Sequence, residues 1–264
     1  MKWYSGTSGF SYNEWKGSFY PEDMAPEGML AYYAERLPAV EINNTFYQMP
    51  KRHVLAAWAS SVPATFRFVI KASKRITHEQ RLVDTADSTT YLAHKLEVLE
   101  DRLGAVLFQL PPYIRKDMGR LNGFLSTLPE GLPSAMEFRH ASWFDDEVFD
   151  ALTARRVALC LSDDGESALP KRIGTTSWLY LRLRQADYDD QALRGWLDRA
   201  AATMAATGFV FFKHEDEAGG PALAARFLTL ANSPTRAAMP PRSVRRTAAS
   251  GATARKAATL KRLT

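Results

Sequence analysis

The regular alternation of strand-like and helix-like segments is the feature that most limits what this chain can fold into. Short runs rich in β-branched and aromatic residues predict eight strands, over Lys2–Ser8, Ala39–Asn43, Phe66–Lys71, Ala105–Leu110, Ser134–Arg139, Val157–Leu161, Trp178–Arg184 and Gly208–Lys213. Amphipathic patterns between them predict helices near Met29–Leu37, Lys51–Ser61, Leu121–Leu128, Glu147–Arg155, Ala192–Thr207 and Pro221–Ala231. In the clearest further pattern, Ser88 is the N-cap, Gly104 follows the last turn, and one face carries Leu92, Leu96, Leu99 and Leu103. Only the connection from Asp163 to Ser177 lacks a helical pattern.

This alternation predicts an α/β fold of the (β/α)₈ TIM-barrel type, in a single domain over residues 1–232. Such barrels typically need about 250 residues, which is close to the length of the predicted domain over residues 1–232. A doubly wound open sheet is the alternative, but no glycine-rich dinucleotide fingerprint follows any of the predicted strands. We therefore expect a closed barrel.

The charge of the chain is unevenly divided. The net charge is +5, yet residues 233–264 contain eight basic residues and no acid, so the first 232 residues carry 26 basic and 29 acidic side chains. Residues 233–264 also lack aromatic residues and are rich in alanine, threonine, serine and proline. Such a segment cannot bury enough apolar surface to offset its ordering entropy, which predicts a disordered basic tail. The tail either contacts nucleic acid or another polyanion, or is a solubilising extension.

Cysteine content and hydropathy point to a reducing compartment. Cys160 is the only cysteine, so it can form neither an internal disulfide nor a cysteine metal cluster. No apolar run approaches the roughly 20 residues that cross a bilayer, and the first residues do not have the pattern of a signal peptide. We expect a cytoplasmic protein with no membrane partner. A P-loop, a His-Glu-x-x-His pair, a Gly-x-Ser-x-Gly elbow and a recognisable DNA-reading module are also absent from the sequence.

Polar side chains collect where the predicted strands end. In a barrel of this type the active site is built at the carboxyl ends of the strands, which we call the mouth. The carboxylates there are Glu41, Glu137 and Asp163. The basic side chains there are Lys71, Arg139, Arg182, Arg184, Lys213 and His214. Asn43, Gln109, His140, Tyr12 and Trp143 complete the set.

These residue types predict particular roles. We expect Glu137, Glu41 and Asp163 to act as general base or as ligands of a divalent metal. Asn43, Gln109 and His140 are expected to orient substrate or water. Cations at the last two strands favour binding of a phosphate or carboxylate, and aromatic side chains can stack on a ring. The alternative is that the charges neutralise one another in a buried network, as Glu137 with Arg182 or Glu41 with Lys71.

Motifs at the strand ends, in their order along the chain, resemble the domain-of-unknown-function 72 family, the YecE-like proteins. The matching stretches are Gly6–Tyr12, Val40–Tyr47, Phe66–Lys71 with Thr77-His78, Leu107–Pro112, Glu137–His140 with Ser142-Trp143, and Tyr180–Leu183. The resemblance covers roughly residues 2–231 and implies a (β/α)₈ barrel, but no established activity. Two positions depart from the family pattern: Phe10 stands in place of tryptophan, and Arg184-Gln185 in place of His-Gly.

Three functions are compatible with these observations. We favour an enzyme, of the hydrolase or isomerase type, that uses acid–base or metal-assisted chemistry on an anionic, ring-containing substrate such as a phosphorylated sugar, a nucleotide or a phosphodiester. The second is a non-catalytic nucleic-acid-associated protein that binds through its basic tail. The third is a barrel that serves as an interaction scaffold. The cofactor is not identified by the sequence beyond the divalent metal that the carboxylates allow.

Overall fold

The chain forms a closed barrel of eight parallel strands, as seen in a computed structural model that describes residues 1–167, 169–213 and 218–233. The strands are β1 (Lys2–Ser8), β2 (Ala39–Ile42), β3 (Arg67–Lys71), β4 (Leu103–Gln109), β5 (Ser134–Glu137), β6 (Ala158–Asp163), β7 (Trp178–Leu183) and β8 (Thr207–Phe212). Each strand pairs with the next along the chain, and β1 pairs with β8 from Lys2 opposite Thr207 to Thr7 opposite Phe212. This confirms the predicted TIM-type fold.

Seven α-helices flank the barrel in the part of the chain that the structure describes. They are α1 (Pro26–Ala34), α2 (Arg52–Ser60), α3 (Ala86–Leu96), α4 (Met118–Thr127), α5 (Asp146–Ala154), α6 (Asp190–Ala201) and α7 (Gly219–Asn232). Asp117, Asp145 and Asp189 cap α4, α5 and α6 by accepting a hydrogen bond from a backbone N–H of the first turn. In the described part of the connection from β6 to β7 there is no helix, as the sequence predicts.

Side chains alternate between two separate cores, because successive residues of a strand point to opposite faces. One apolar cluster lies inside the barrel and includes Ala39, Val69, Leu107, Tyr180 and Phe211. The larger cluster lies between the strands and the helices. This alternation determines which strand-end residues face the mouth, because each lies two positions beyond an inward apolar residue.

The third helix differs from its prediction. Helix α3 begins at Ala86, before Ser88, and ends at Leu96, where a 3₁₀ segment over Glu97–Arg102 follows. Glu100, with φ of 48°, interrupts the helical backbone, and Gly104 lies inside β4. The leucine spacing continues through this break because Leu99 still packs against the core. The helical periodicity was therefore real, but it extended past the end of the α-helix.

Two predictions fall outside the described residues. The first is the site residue His214. The second is the disordered tail predicted over residues 233–264, of which residues 234–264 lie outside the described part of the chain. Both stay predictions. Among the helices of the described residues, none has the length and apolar character needed to cross a membrane.

Candidate active site at the barrel mouth

The inward positions of the strands change from apolar to polar at the carboxyl end of the barrel. Two residues beyond the inner apolar cluster, β2 carries Glu41, β4 carries Gln109, β5 carries Glu137 and β7 carries Arg182. The strand register places hydrogen-bonding partners side by side, since Ser8 lies opposite Glu41 and Gln109 lies opposite Glu137. The mouth is therefore built from residues that are far apart in sequence.

Arg182 joins two carboxylates inside the barrel. Its Nη2 donates to Glu41 Oε1 at 2.8 Å, and its Nη1 donates to Glu137 Oε2 at 2.7 Å. Glu41 and Glu137 are 0% exposed and Arg182 is 2% exposed, so all three are removed from water. We call these three residues the ionic floor of the mouth.

Neutral donors complete the coordination of the two carboxylates. Tyr180 Oη donates to Glu41 Oε2 at 2.5 Å, while Ser8 Oγ and Asn43 Nδ2 donate to Glu41 Oε1, each at 2.8 Å. Gln109 Nε2 donates to Glu137 Oε1 at 2.8 Å. Burial of a carboxylate is tolerated only when its oxygens are satisfied in this way.

The network keeps both carboxylates ionised. Burial would raise the pKa of Glu41, but the charge and hydrogen bond of Arg182, together with hydrogen bonds from Tyr180 and Asn43, outweigh it and lower this pKa to about 2. Burial also opposes ionisation of Glu137, but the charges of Arg182 and Arg139 and the hydrogen bonds from Gln109 and Arg182 together lower its pKa. The same carboxylates raise the pKa of Arg182 against the effect of its own burial.

The structure agrees in part with the alternative hypothesis, in which the charges at the mouth neutralise one another. Glu137 pairs with Arg182 as that hypothesis stated, but Glu41 also pairs with Arg182 and not with Lys71. Arg182 can serve both because its planar guanidinium presents several donors in fixed directions. Lys71 is consequently left without a carboxylate partner among the described residues.

Three cations lie above the ionic floor, and we call Lys71, Arg139 and Arg184 the cationic rim. Arg139 Nε contacts Glu137 Oε1 at 3.2 Å, and its side chain is 39% exposed. Arg184 is half-buried, and no hydrogen bond or ion pair of its guanidinium is found within the described part of the chain. Burial and the charge of Arg182 lower the pKa of Arg184. Burial, and then Arg182, lower the pKa of Lys71 to about 8.

A cavity of about 470 Å³ lies among the loops that follow β4 to β8, and of the rim residues Arg139 and Arg184 line it. Glu137 and Cys160 lie at its base, and Arg139, Arg184 and Lys213 lie in its wall. The apolar part of the wall comes from Pro112, Phe144, Leu169 and Pro170. The cavity thus combines cations with an apolar surface, as binding sites for small ligands do.

Asp163 does not join the other two carboxylates. It follows Leu161, which packs in the outer core, and by strand alternation it faces the helices. Its carboxylate accepts hydrogen bonds from Gln185 Nε2 at 2.9 Å, Tyr188 Oη at 3.1 Å and Trp196 Nε1 at 3.3 Å. Its position near the end of β6 did not reveal this, because a shift of one residue along a strand reverses the direction of the side chain.

Three further predicted residues have local structural contacts. Trp143 is fully buried, stacks on Phe138 and donates from Nε1 to Ile114 O at 2.8 Å, so it cannot contact a ligand in this structure. His140 Nδ1 accepts from the backbone N–H of Ser142 at 3.1 Å and caps a short 3₁₀ turn. Tyr12 Oη donates to Ser8 O at 2.6 Å, beside the ionic floor.

A divalent metal would need ligands that this site does not offer among the described residues. They contain no group of three histidine, cysteine, aspartate or glutamate side chains placed to hold an ion. The oxygens of Glu41 and Glu137 already accept hydrogen bonds from Arg182 and the neutral donors. The two carboxylates that suggested a metal therefore fit a guanidinium instead.

The candidate set from the sequence did not include three residues near the floor and rim. Ser8 and Tyr180 bind Glu41, and both lie an even number of positions from inward residues, which is the signal that would have identified them. His78 lies in a π-helical turn over Arg75–Glu79, and its ring packs edge-on against Phe46. Single-turn π-helices are frequent at functional sites.

A larger hollow, of about 890 Å³, lies at the opposite end of the barrel. It is lined by residues that precede β6 and β7, among them Arg156 and Arg172, and Arg172 is already paired with Asp150 at 2.7 Å. In this fold the catalytic groups come from the carboxyl ends of the strands, so an active site is not expected at the opposite end. The mouth is therefore the better candidate.

Comparison with known proteins identifies relatives over most of this barrel. A sequence profile described as "Protein of unknown function DUF72" matches residues 4–247. The UPF0759 protein YunF of Bacillus subtilis is 28% identical over 156 residues, which are 56% of this chain and 54% of that protein. The UPF0759 protein YecE of Escherichia coli K12 is 31% identical over 116 residues, 44% of this chain and 43% of that protein. The matches thus span about half the length of these curated relatives.

Solved structures agree with the fold. A DUF72 family protein from Thermotoga maritima superposes with a TM-score of 0.78 and 25% identity, covering 88% of this chain and 100% of that one. A DUF72 family protein from Enterococcus faecalis V583 gives a TM-score of 0.73 at 19% identity, covering 88% and 96% of the two chains. With its barrel, its strand-end motifs and the matching profile taken together, this chain belongs to the DUF72 family.

Proposed function

We propose that the barrel mouth is the active site of an enzyme that binds a small anionic, ring-containing substrate and transfers a proton to or from it. The observation that carries this proposal is a pair of rim cations, Lys71 and Arg184, for which no carboxylate partner is found among the described residues. Arg184 also borders the cavity. A phosphate or carboxylate of the substrate would supply the counter-charge.

Lys71 and Arg184 suit this task because the ionic floor does not neutralise them, whereas Arg139 contacts Glu137. Both carboxylates of the floor are already bonded to Arg182. Arg184 and Arg139 each present a planar guanidinium, which matches phosphate and carboxylate geometry with two parallel hydrogen bonds. Phe144 and Leu169 offer an apolar surface for the ring of the substrate.

Lys71 and Glu137 are the groups that we assign to proton transfer. A general acid or base works best when its pKa is near the working pH, and the pKa of Lys71 is lowered to about 8. Glu137 borders the cavity as a carboxylate and can accept a proton only if the substrate displaces one of its donors, Arg139 or Gln109. Glu41 lies deeper and holds Arg182 in place.

Binding of inorganic phosphate tests the anion site without knowledge of the substrate. At a concentration tenfold above its dissociation constant, a ligand stabilises the fold by about 1.4 kcal/mol, which raises the melting temperature. We expect R184Q to abolish this rise. R226Q is the matched control, since Arg226 loses the same charge but pairs with Asp190 on the outer surface. Equal stabilisation of both variants would refute the anion site.

Turnover tests the assignment of Glu137. Once a panel of phosphorylated sugars and nucleotides has given a substrate, E137Q should lose at least about a hundredfold in kcat/KM while it remains folded by circular dichroism. D150N is the control, because Asp150 lies on the outside of the barrel. Full activity of E137Q would refute the catalytic role of this carboxylate.

A second candidate function rests on residues 233–264, which carry eight basic residues and no acid. A segment of this composition binds polyanions, and nucleic-acid binding through it should weaken steeply as salt increases. Truncation after Asn232 should then remove the binding measured by fluorescence anisotropy with a DNA or RNA oligonucleotide. If the truncated protein binds with the same affinity, this function is not located in the tail.

A further inference from the structure

Lys71 lies at the mouth in surroundings that differ from those of an ordinary surface lysine. It follows Val69 and Ile70 on β3, and alternation directs its side chain inward, above the floor. Its Nζ lies 4.3 Å from the centroid of the Phe46 ring. No carboxylate lies within salt-bridge distance of this amine in the part of the chain that the structure describes.

The neighbours of Lys71 come from every side of the mouth. They are Glu41 on β2, Glu137 and Arg139 at the end of β5, and Arg182 on β7. The fifth is His78, which packs against the same Phe46 ring and whose own pKa is lowered by burial and by Lys71. Burial and the two arginines favour the neutral amine more than the two glutamates oppose it.

We propose that Lys71 is a nucleophile that forms an imine with the carbonyl group of an anionic aldehyde or ketone. This proposal rests on the proposed function, because the cations of the rim would hold the anionic group of that substrate. A half-buried lysine beside other cations has an increased neutral fraction, and the neutral amine is the form that attacks carbonyl carbon. The substrate class is thereby narrowed to phosphorylated or carboxylated carbonyl compounds.

The chemistry requires no other reactant. The amine lone pair of Lys71 bonds to the carbonyl carbon while the π electrons move to oxygen, which takes a proton and gives a carbinolamine. The carbon–oxygen bond then breaks, the nitrogen gives up its second proton, and one molecule of water leaves as the carbon–nitrogen double bond forms. The imine withdraws electrons from the neighbouring carbon, where a proton can then be removed.

Reductive trapping on the full chain tests this proposal. Glycolaldehyde phosphate is added with cyanoborohydride, which delivers hydride to the iminium carbon and fixes the adduct as a secondary amine. Peptide mass spectrometry then compares Lys71 with the exposed Lys51 in the same sample. At pH 7 we expect Lys71 to react at least about tenfold faster, because a larger fraction of it is neutral. The rate at Lys71 should rise with a midpoint near pH 8.

Glycolaldehyde without phosphate separates the two proposals. The preference for Lys71 should fall at least about fivefold with this probe, and R184Q should reduce it for the phosphorylated probe alone. K71R, checked for folding by circular dichroism, should lose the adduct at position 71. If Lys71 reacts no faster than Lys51 with either aldehyde, the imine is refuted, whatever phosphate does to the melting temperature. If both aldehydes show the same preference, the anion site is refuted and the lysine assignment stands.

Discussion

The ionic floor and the cationic rim both lie at the carboxyl ends of the strands, where Arg139 and Arg184 each follow a floor residue by two positions, yet the two regions satisfy their charges in different ways. In the floor, Arg182 is bonded to Glu41 and Glu137, and all three are buried. In the rim, Lys71 and Arg184 have no carboxylate partner among the described residues. Buried charges must be paired for the fold to tolerate them, whereas charges that border a cavity can be left for a ligand. The floor should therefore matter most to stability, and the rim to binding.

The largest effect on stability should come from R182M. Methionine fills a similar volume but leaves Glu41 without a counter-charge and Glu137 with Arg139 alone, so the free energy of unfolding should fall by about 3–5 kcal/mol in urea denaturation at pH 7. The loss should be smaller at pH 5, since protonation can neutralise carboxylates whose pKa is raised by burial. A loss below about 1 kcal/mol would mean that the floor does not need Arg182.

Acid should weaken the wild-type floor in a defined pH range. The pKa of Glu41 is about 2 in the folded chain and ordinary in the unfolded chain, so the unfolded chain binds more protons as the pH falls. The stability contributed by Glu41 is complete above about pH 5 and is lost as the pH falls toward 2, a change of about 3 kcal/mol. Urea denaturation from pH 6 to pH 2.5 measures it. The plot of unfolding free energy against pH for E41Q should lack this component. If E41Q and the wild-type protein give the same pH dependence, the loss of stability in acid does not come from Glu41.

D163N tests a carboxylate that belongs to neither the ionic floor nor the cationic rim. Replacing one acceptor oxygen of Asp163 with an amide places a donor against Tyr188 and Trp196, which should cost about 1–3 kcal/mol of unfolding free energy. Phosphate binding should be unchanged because Asp163 faces the helices. D150N, at an exposed ion pair with Arg172, should cost no more than about 1 kcal/mol. Loss of phosphate binding in D163N would place Asp163 in the functional site.

The smallest effect on stability should come from R184Q. Because its guanidinium has no partner in the described part of the chain, the substitution breaks no ion pair there. The free energy of unfolding should change by less than about 0.5 kcal/mol in urea denaturation without ligand. A loss of several kcal/mol would show that Arg184 belongs with the floor rather than the rim.

Much of the barrel could be predicted from local sequence patterns. All eight strands lie where the β-branched and aromatic runs predict them, with ends that differ by two residues or fewer. The period of two also places Glu41, Glu137, Arg139 and Arg182 on inward positions. These features depend on neighbouring residues in the chain. The direction of Asp163 was missed because one residue of uncertainty at a strand end reverses the face.

The sequence by itself determined the barrel, the set of charged residues near its mouth and the family to which the chain belongs. Only the tertiary structure decided which charges pair, because Arg182 and Glu41 are 141 residues apart and meet only when the barrel closes. Once Arg182 pairs with both carboxylates, Lys71 is left without a carboxylate partner among the described residues. The physical reason is that alternation along a strand is a local property, whereas the choice of an ionic partner depends on distances across the closed barrel.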